Sequence, residues 1–260
     1  MSAGPTTAFL TRLAALKGLR PDSWYLIAAA TSTALGYGQT WLPNIYRQAK
    51  VIGPSSSLST TPQPSSSVEV TPSLLVVRRL KETLFKSAIL VGVPRVIQAS
   101  FALRAVTENT PDFDTSFTRE SIDATAAGNN ERGLVGLEMV YRKQYGPISS
   151  KMGAGMKEIR WMSENITYGL FLSPVSEAHP RYPLSFPETE MVVLSCLVAQ
   201  RAKREALWHL RGCLRSGMTA EEVEALQTAI ESVAEELGTD VRSDMPRVGD
   251  VEEEDDLTGL

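Results

Sequence analysis

Apolar and polar positions alternate at helical spacing through almost every ordered stretch of this chain. Trp24 to Leu35 is a continuous apolar run behind Pro21-Asp22-Ser23, where Asp22 or Ser23 can cap a helix. Gln39 to Lys50 keeps a helical pattern, with Pro43 placed near a helix start. Leu74 to Val91 is amphipathic, with Leu80, Leu84, Ala88 and Val91 on one face; Gly92 ends it and Pro94 opens a helix running to Val106. Further helical segments are ERGLVGLEMVYRKQYG (131–146) and IRWMSENITYG (159–169). The run ETEMVVLSCLVA (188–199) follows, then a helix carrying Glu205, Trp208 and His209, then Gly217 and a new helix start at Thr219. An all-α fold is expected.

The polar stretches divide the chain. The segment 53–73 is rich in Ser, Thr and Pro, so a flexible insertion is expected, with 54–70 mobile. Residues 108–130 are polar and acidic and read as a surface connector. Residues 239–260 lack periodicity and end in VEEEDD, so a disordered acidic tail is expected, mobile over 240–260. At the N-terminus, Phe9, Leu10, Leu13, Leu16 and Leu19 fall on or near one helical face. Arg12, Lys17 and Arg20 appear there with no acid before Asp22. Two readings fit: a core helix from Thr6 to Leu19 capped by Thr6 or Thr7, or a mitochondrial presequence. Location is accordingly expected to be intracellular, mitochondrial or cytoplasmic.

Charge and composition narrow the function. The net charge is −4 over 260 residues, and without the tail the body is near neutral. No basic stripe with interleaved aromatics marks a nucleic-acid partner. No apolar run reaches the ~20 residues of a membrane span. Cys196 and Cys213 sit in apolar helical contexts, read as buried reduced thiols of a reducing compartment. No Gly-rich phosphate loop, His-x-x-x-His or ligand-spaced cysteine pair is present, so no metal and no cofactor is expected.

The candidate chemistry gathers around one imidazole. The chain has two histidines. His179 lies in a Pro-flanked loop, whereas His209 lies within a patterned helix, four positions after Glu205 and therefore on its face. Imidazole gives and takes protons near neutral pH, which makes His209 with Glu205 the leading acid–base pair. Glu190, 19 positions before His209, has two readings: a proton-relay partner, or a first-turn acid favoured by the helix dipole. Glu164 and Tyr168 are one turn apart and can line the same cavity. Trp161 and Trp208 read as core, with Trp208 also a candidate substrate contact. Arg211 can bind a substrate carboxylate, whereas Arg201 and Arg204 read as surface residues.

The segments 131–146, 159–169, 188–199 and HLRGCLRSGMTAEEV (209–223) resemble, in this order, the carboxymuconolactone decarboxylase family of the alkylhydroperoxidase D-like superfamily. ILVGVPRVIQASFAL (89–103) is similar to that family's closing segment. The resemblance implies two divergent copies of one helical unit: residues 1–107, with the 53–73 insertion, and residues 131–238 across the 108–130 connector. With Gly53 matched to Gly217, Ile45 stands where His209 stands and Arg47 matches Arg211. Peroxidase members carry Cys-x-x-Cys before the histidine; those positions here are Ala202 and Glu205. The resemblance therefore implies a decarboxylase-like lyase that uses His209, Glu205 and Glu190 without a cofactor on a small carboxylated substrate, in a homo-oligomer. The alternatives are a non-catalytic helical interaction or assembly protein that keeps the fold and, far behind, a thiol peroxidase.

Overall fold

The computed structural model describes residues 4–53, 71–117, 119, 125–173 and 184–251, and among these residues every regular element is a helix. The expected mobile segment 54–70, His179 and residues 252–260 of the expected tail lie outside the described residues. Two apolar helices form the centre, α2 (Trp24–Ala34) and α9 (Phe186–Ala199). Every residue of α2 is buried, as is every residue of α9 from Thr189 on. A helix apolar on all sides has no solvent face to offer and must be enclosed. The enclosure is supplied by α4 (Pro72–Val91) and α11 (Ala220–Glu236), each of which packs against both α2 and α9.

The start signals work as their chemistry dictates. Thr71 caps α4 by accepting from the Leu74 amide at 3.2 Å, and Thr219 forms a capping box with Glu222 at the start of α11. Around this core, α3 (Gly38–Ile52) packs on α2 and α5 (Val93–Thr107), and α10 (Lys203–Arg215) packs on α9 and α6 (Ala126–Tyr141). The helices α7 (Tyr145–Met152) and α8 (Lys157–Met162) lead into a π-helix, Ser163–Phe171, that lies along α6. Pro43 falls inside α3 rather than near its start.

Arg79 of α4 ties the layers together from the interior. Its guanidinium donates to the Tyr25 hydroxyl of α2 and to Glu188 of α9, both at 2.5 Å, and it is 1% exposed. Burial pushes the Glu188 carboxyl up, but Arg79 and the Ser185 donors outweigh it and hold it below the usual carboxylate range.

The N-terminal segment forms a packed helix, as the core-helix reading expects, but ends earlier: α1 (Thr7–Ala14) is capped by Thr6 and buries Phe9, Leu10 and Leu13. Two expectations need correction. The connector 108–130 is not wholly a surface strand of chain. Asp112 is buried and accepts from Tyr46, Lys50 and Ser73, and α6 already begins at Ala126 under a Thr125 cap. The 239–251 part of the expected disordered tail is folded. Val241 and Met245 are buried, Gln227 donates to the Pro246 carbonyl at 2.8 Å, and Arg247 pairs with Glu224 and Glu231. The short apolar anchors Val241 and Met245, four apart, bury enough surface to hold a stretch that its polarity alone suggests is free.

Candidate functional site

His209 projects from α10 toward α9, where Glu190 waits at the second turn. The two are buried, 4% and 2% exposed, and His209 Nδ1 lies 2.9 Å from Glu190 Oε2. A carboxylate can only accept, so Nδ1 carries the hydrogen and Nε2 presents its lone pair. Gly212, three residues after His209, is what lets the carboxylate in: a Cβ there would sit 2.3 Å from Glu190 Oε2. Two phenols close on the other nitrogen. Tyr141, the last residue of α6, and Tyr168, on the π-helix, place their hydroxyls 3.4 Å and 3.3 Å from Nε2 and 3.2 Å from each other. Burial raises both phenols well above their ordinary titration range, so they remain neutral donors.

Local packing sets these positions. Arg215 of α10 donates to the Val140 carbonyl at 2.6 Å and fixes the end of α6. The π-helix lies against α6 because Gly133 and Gly169 leave no side chain between the backbones. A Cβ on Gly133 would fall 1.6 Å from the Glu164 carbonyl oxygen, and one on Gly169 would fall 2.3 Å from that of Asn129. The π-helix carries Tyr168, and its close approach to α6 brings that phenol beside Tyr141.

The group opens into a cavity of about 610 Å³. Its base is Tyr141, Tyr168 and His209. Its wall is Trp208, edge-on to Tyr141 with ring centres 5.9 Å apart, together with apolar side chains of α6, α7 and α8. Its rim carries Lys151, Arg160, Arg204 and Glu205.

Of the residues singled out from the sequence, His209, Glu190 and Tyr168 form one hydrogen-bonded group, and Glu205 and Trp208 line the same cavity. Glu205 is exposed and makes no hydrogen bond to His209 among the described residues; Glu190 holds that position instead. Glu164 accepts from Tyr145 and Arg160, both lining residues, and so stands behind the wall rather than in it. Arg211 is buried but does not line the cavity, because two residues along a helix turn its side chain about 200° from His209. Arg204, expected at the surface, reaches the rim. Trp161, expected in the core, is 55% exposed.

Tyr141 was not singled out from the sequence, nor was Lys86. Lys86 is buried beside Glu82, with Nζ to Oε1 3.6 Å, and Arg119 pairs with the same carboxylate. Burial is the largest influence on Lys86 and lowers it to about 8, with the charges of Glu82 and Glu190 opposing. The folded chain thus releases this proton before the unfolded chain does. Stability should rise with pH through the window from about pH 8 to 10. Chemical denaturation across that window is expected to show the rise in the natural chain and a smaller one in Lys86→Met.

The thiols take no part. Cys196 and Cys213 are fully buried; burial pushes Cys196 up to about 12 and Cys213 well above its ordinary value. A thiol-specific chromogenic reagent is expected to leave both unmodified in the folded chain and to react with both only after denaturant is added. Rapid reaction of either thiol without denaturant would contradict their placement.

Among known proteins, the chain is similar to Peroxisomal protein 2 of Schizosaccharomyces pombe, with 28% identity over 168 residues, 64% of this chain and 74% of that protein. No family model and no solved structure matches. The relative is named for the peroxisome, and this overturns the expectation of a mitochondrial or cytoplasmic location. Among the described residues no helix is long and apolar enough to cross a membrane.

Proposed function

We propose that the chain is a cofactor-independent lyase of the carboxymuconolactone decarboxylase kind, working in the peroxisome on a carboxylated substrate. One observation carries the reading: a buried imidazole oriented by a buried carboxylate at 2.9 Å, with its other nitrogen facing two hydroxyls at the base of an open cavity. Such an arrangement stores and delivers a proton. When the C–C bond to the carboxylate breaks, carbon dioxide leaves and the electron pair stays on the substrate as an enolate. His209, protonated from solvent and stabilised by Glu190, returns a proton to the enolate carbon, and solvent recharges the imidazole. Arg204 and Lys151 at the rim can hold the substrate's anionic group.

The two halves are, in this reading, divergent copies. The contacts support it. The pair α2 and α9 is flanked equivalently by α11 and α4, and each central helix is followed by a helix packed on it, α3 and α10. The turns after them also match: the Tyr37 amide donates to Ser32 O at 2.7 Å and the Ala202 amide to Leu197 O at 3.0 Å. The first copy's helix α3 carries no histidine, which leaves that copy without an imidazole.

The purified chain incubated with carboxylated lactones should release carbon dioxide, measured by trapping. No release from any member of a panel spanning small and apolar-bodied lactone acids would remove the lyase reading.

A further inference from the structure

The cavity is far larger than a bare lactone acid needs. A cavity of ~150 Å³ already takes benzene, and about 610 Å³ lies in the range that holds ligands several times that size. Its walls include Leu137, Ile148, Met152, Ile159, Met162 and Trp208, and the two phenols and the imidazole form one hydrogen-bonded polar group in its lining. The hydrogens at that base can be counted. Nε2 offers one lone pair, because Nδ1 holds the proton against Glu190. Tyr141 and Tyr168 bring one hydroxyl hydrogen each. One satisfies Nε2; the other now bridges the two hydroxyls, with Tyr168 donating to Tyr141 at 3.2 Å. That second hydrogen can turn to a ligand oxygen without costing His209 its partner. In the tautomer with its hydrogen on Nδ1, the imidazole has nothing to donate into the cavity.

We propose that the Tyr141–Tyr168 hydroxyl pair is the oxyanion-binding element of this pocket, and that the ligand is an apolar-bodied molecule presenting one oxyanion, of the enolate or phenolate class, to it. Tyr168 donates its hydrogen to the ligand while Tyr141 keeps its own on Nε2, and Glu190 stands behind His209. Because the hydroxyls are held neutral by burial, they meet an anion without charge repulsion, in a site where the surrounding apolar wall strengthens the hydrogen bond. The inference rests on the acid–base reading of the site but not on decarboxylation.

The test is calorimetric binding of 4-phenylphenol and of ring-fluorinated derivatives of increasing acidity to the full chain. Affinity is expected to tighten along the series. It should fall at least tenfold in Tyr168→Phe or Tyr141→Phe, with the tightening flattened, while circular dichroism and melting report an unchanged fold. If one variant fails to fold, the other carries the comparison, and the flattened series in a folded variant is the deciding readout. Absence of binding by the natural chain, or equal binding by the folded variants, overturns the proposal. Tyrosine-dependent binding without carbon dioxide release from any lactone leaves the proposal standing and removes the lyase reading. Lactone turnover unchanged in both tyrosine variants does the reverse.

Discussion

Replacing His209 by asparagine is expected to lower carbon dioxide release by 10²–10⁴-fold, the usual weight of a positioned proton carrier. The choice of asparagine matters. Its amide can still donate toward Glu190 from near the Nδ1 position, so the buried carboxylate keeps a partner while the titrating ring is gone. His209→Ala removes both. It leaves Glu190, 2% exposed, without its 2.9 Å partner, at a cost of about 3 kcal/mol from an unpaired buried charge. Comparing the two by turnover and by urea unfolding separates the chemistry from the stability. Turnover in His209→Asn equal to that of the natural chain would remove His209 from the reaction.

The second large effect is structural. Gly133→Ala would place a Cβ 1.6 Å from the Glu164 carbonyl oxygen, a distance only a covalent bond allows. The obstacle is backbone, not the flexible end of a side chain, so α6 and the π-helix must move apart. Overpacking usually costs 1–3 kcal/mol, and here a loss of about 3 kcal/mol or more is expected, read as a lower urea midpoint. Because the π-helix carries Tyr168 and α6 ends in Tyr141, both phenols should shift from His209. Phenol binding should therefore fall together with stability. A variant as stable as the natural chain would show that the two backbones do not approach this closely.

Much of the scaffold was legible because helix periods, caps and breakers are local. Trp24–Ala34, Pro72–Val91 and the Thr219 capping box follow from residues within one turn of each other. The site was legible only where chemistry is rare. His209 stands out as the one histidine within a patterned helix. Glu190 is visible by its spacing, but spacing does not give the crossing of α9 over α10, so only the structure shows its carboxylate 2.9 Å from His209 Nδ1. Glu205 was favoured because it shares His209's helix face, yet sharing a face with a neighbour four residues away matters less here than the carboxylate across the interface. Tyr141 carried no signal beyond being a helix-terminal aromatic, and its partner lies 68 residues away. Lys86 did have one: a charged residue inside an apolar helix, four positions after Glu82, is the mark of an ion pair buried with its face. Composition averages over residues and so hides the two apolar anchors, Val241 and Met245, that hold the 239–251 part of the tail.

The proposed chemistry depends on the orientation of one imidazole, and nitrogen-15 NMR of the histidine rings tests it directly. Only His179 and His209 contribute, and His209→Asn identifies which signals are which. In mildly alkaline solution His209 is predicted to hold its hydrogen on Nδ1, with Nε2 bare, and Glu190→Gln is predicted to shift the pattern. A hydrogen on Nε2, or a ring indifferent to Glu190→Gln, would contradict the carboxylate–imidazole–phenol arrangement on which the proposed chemistry depends.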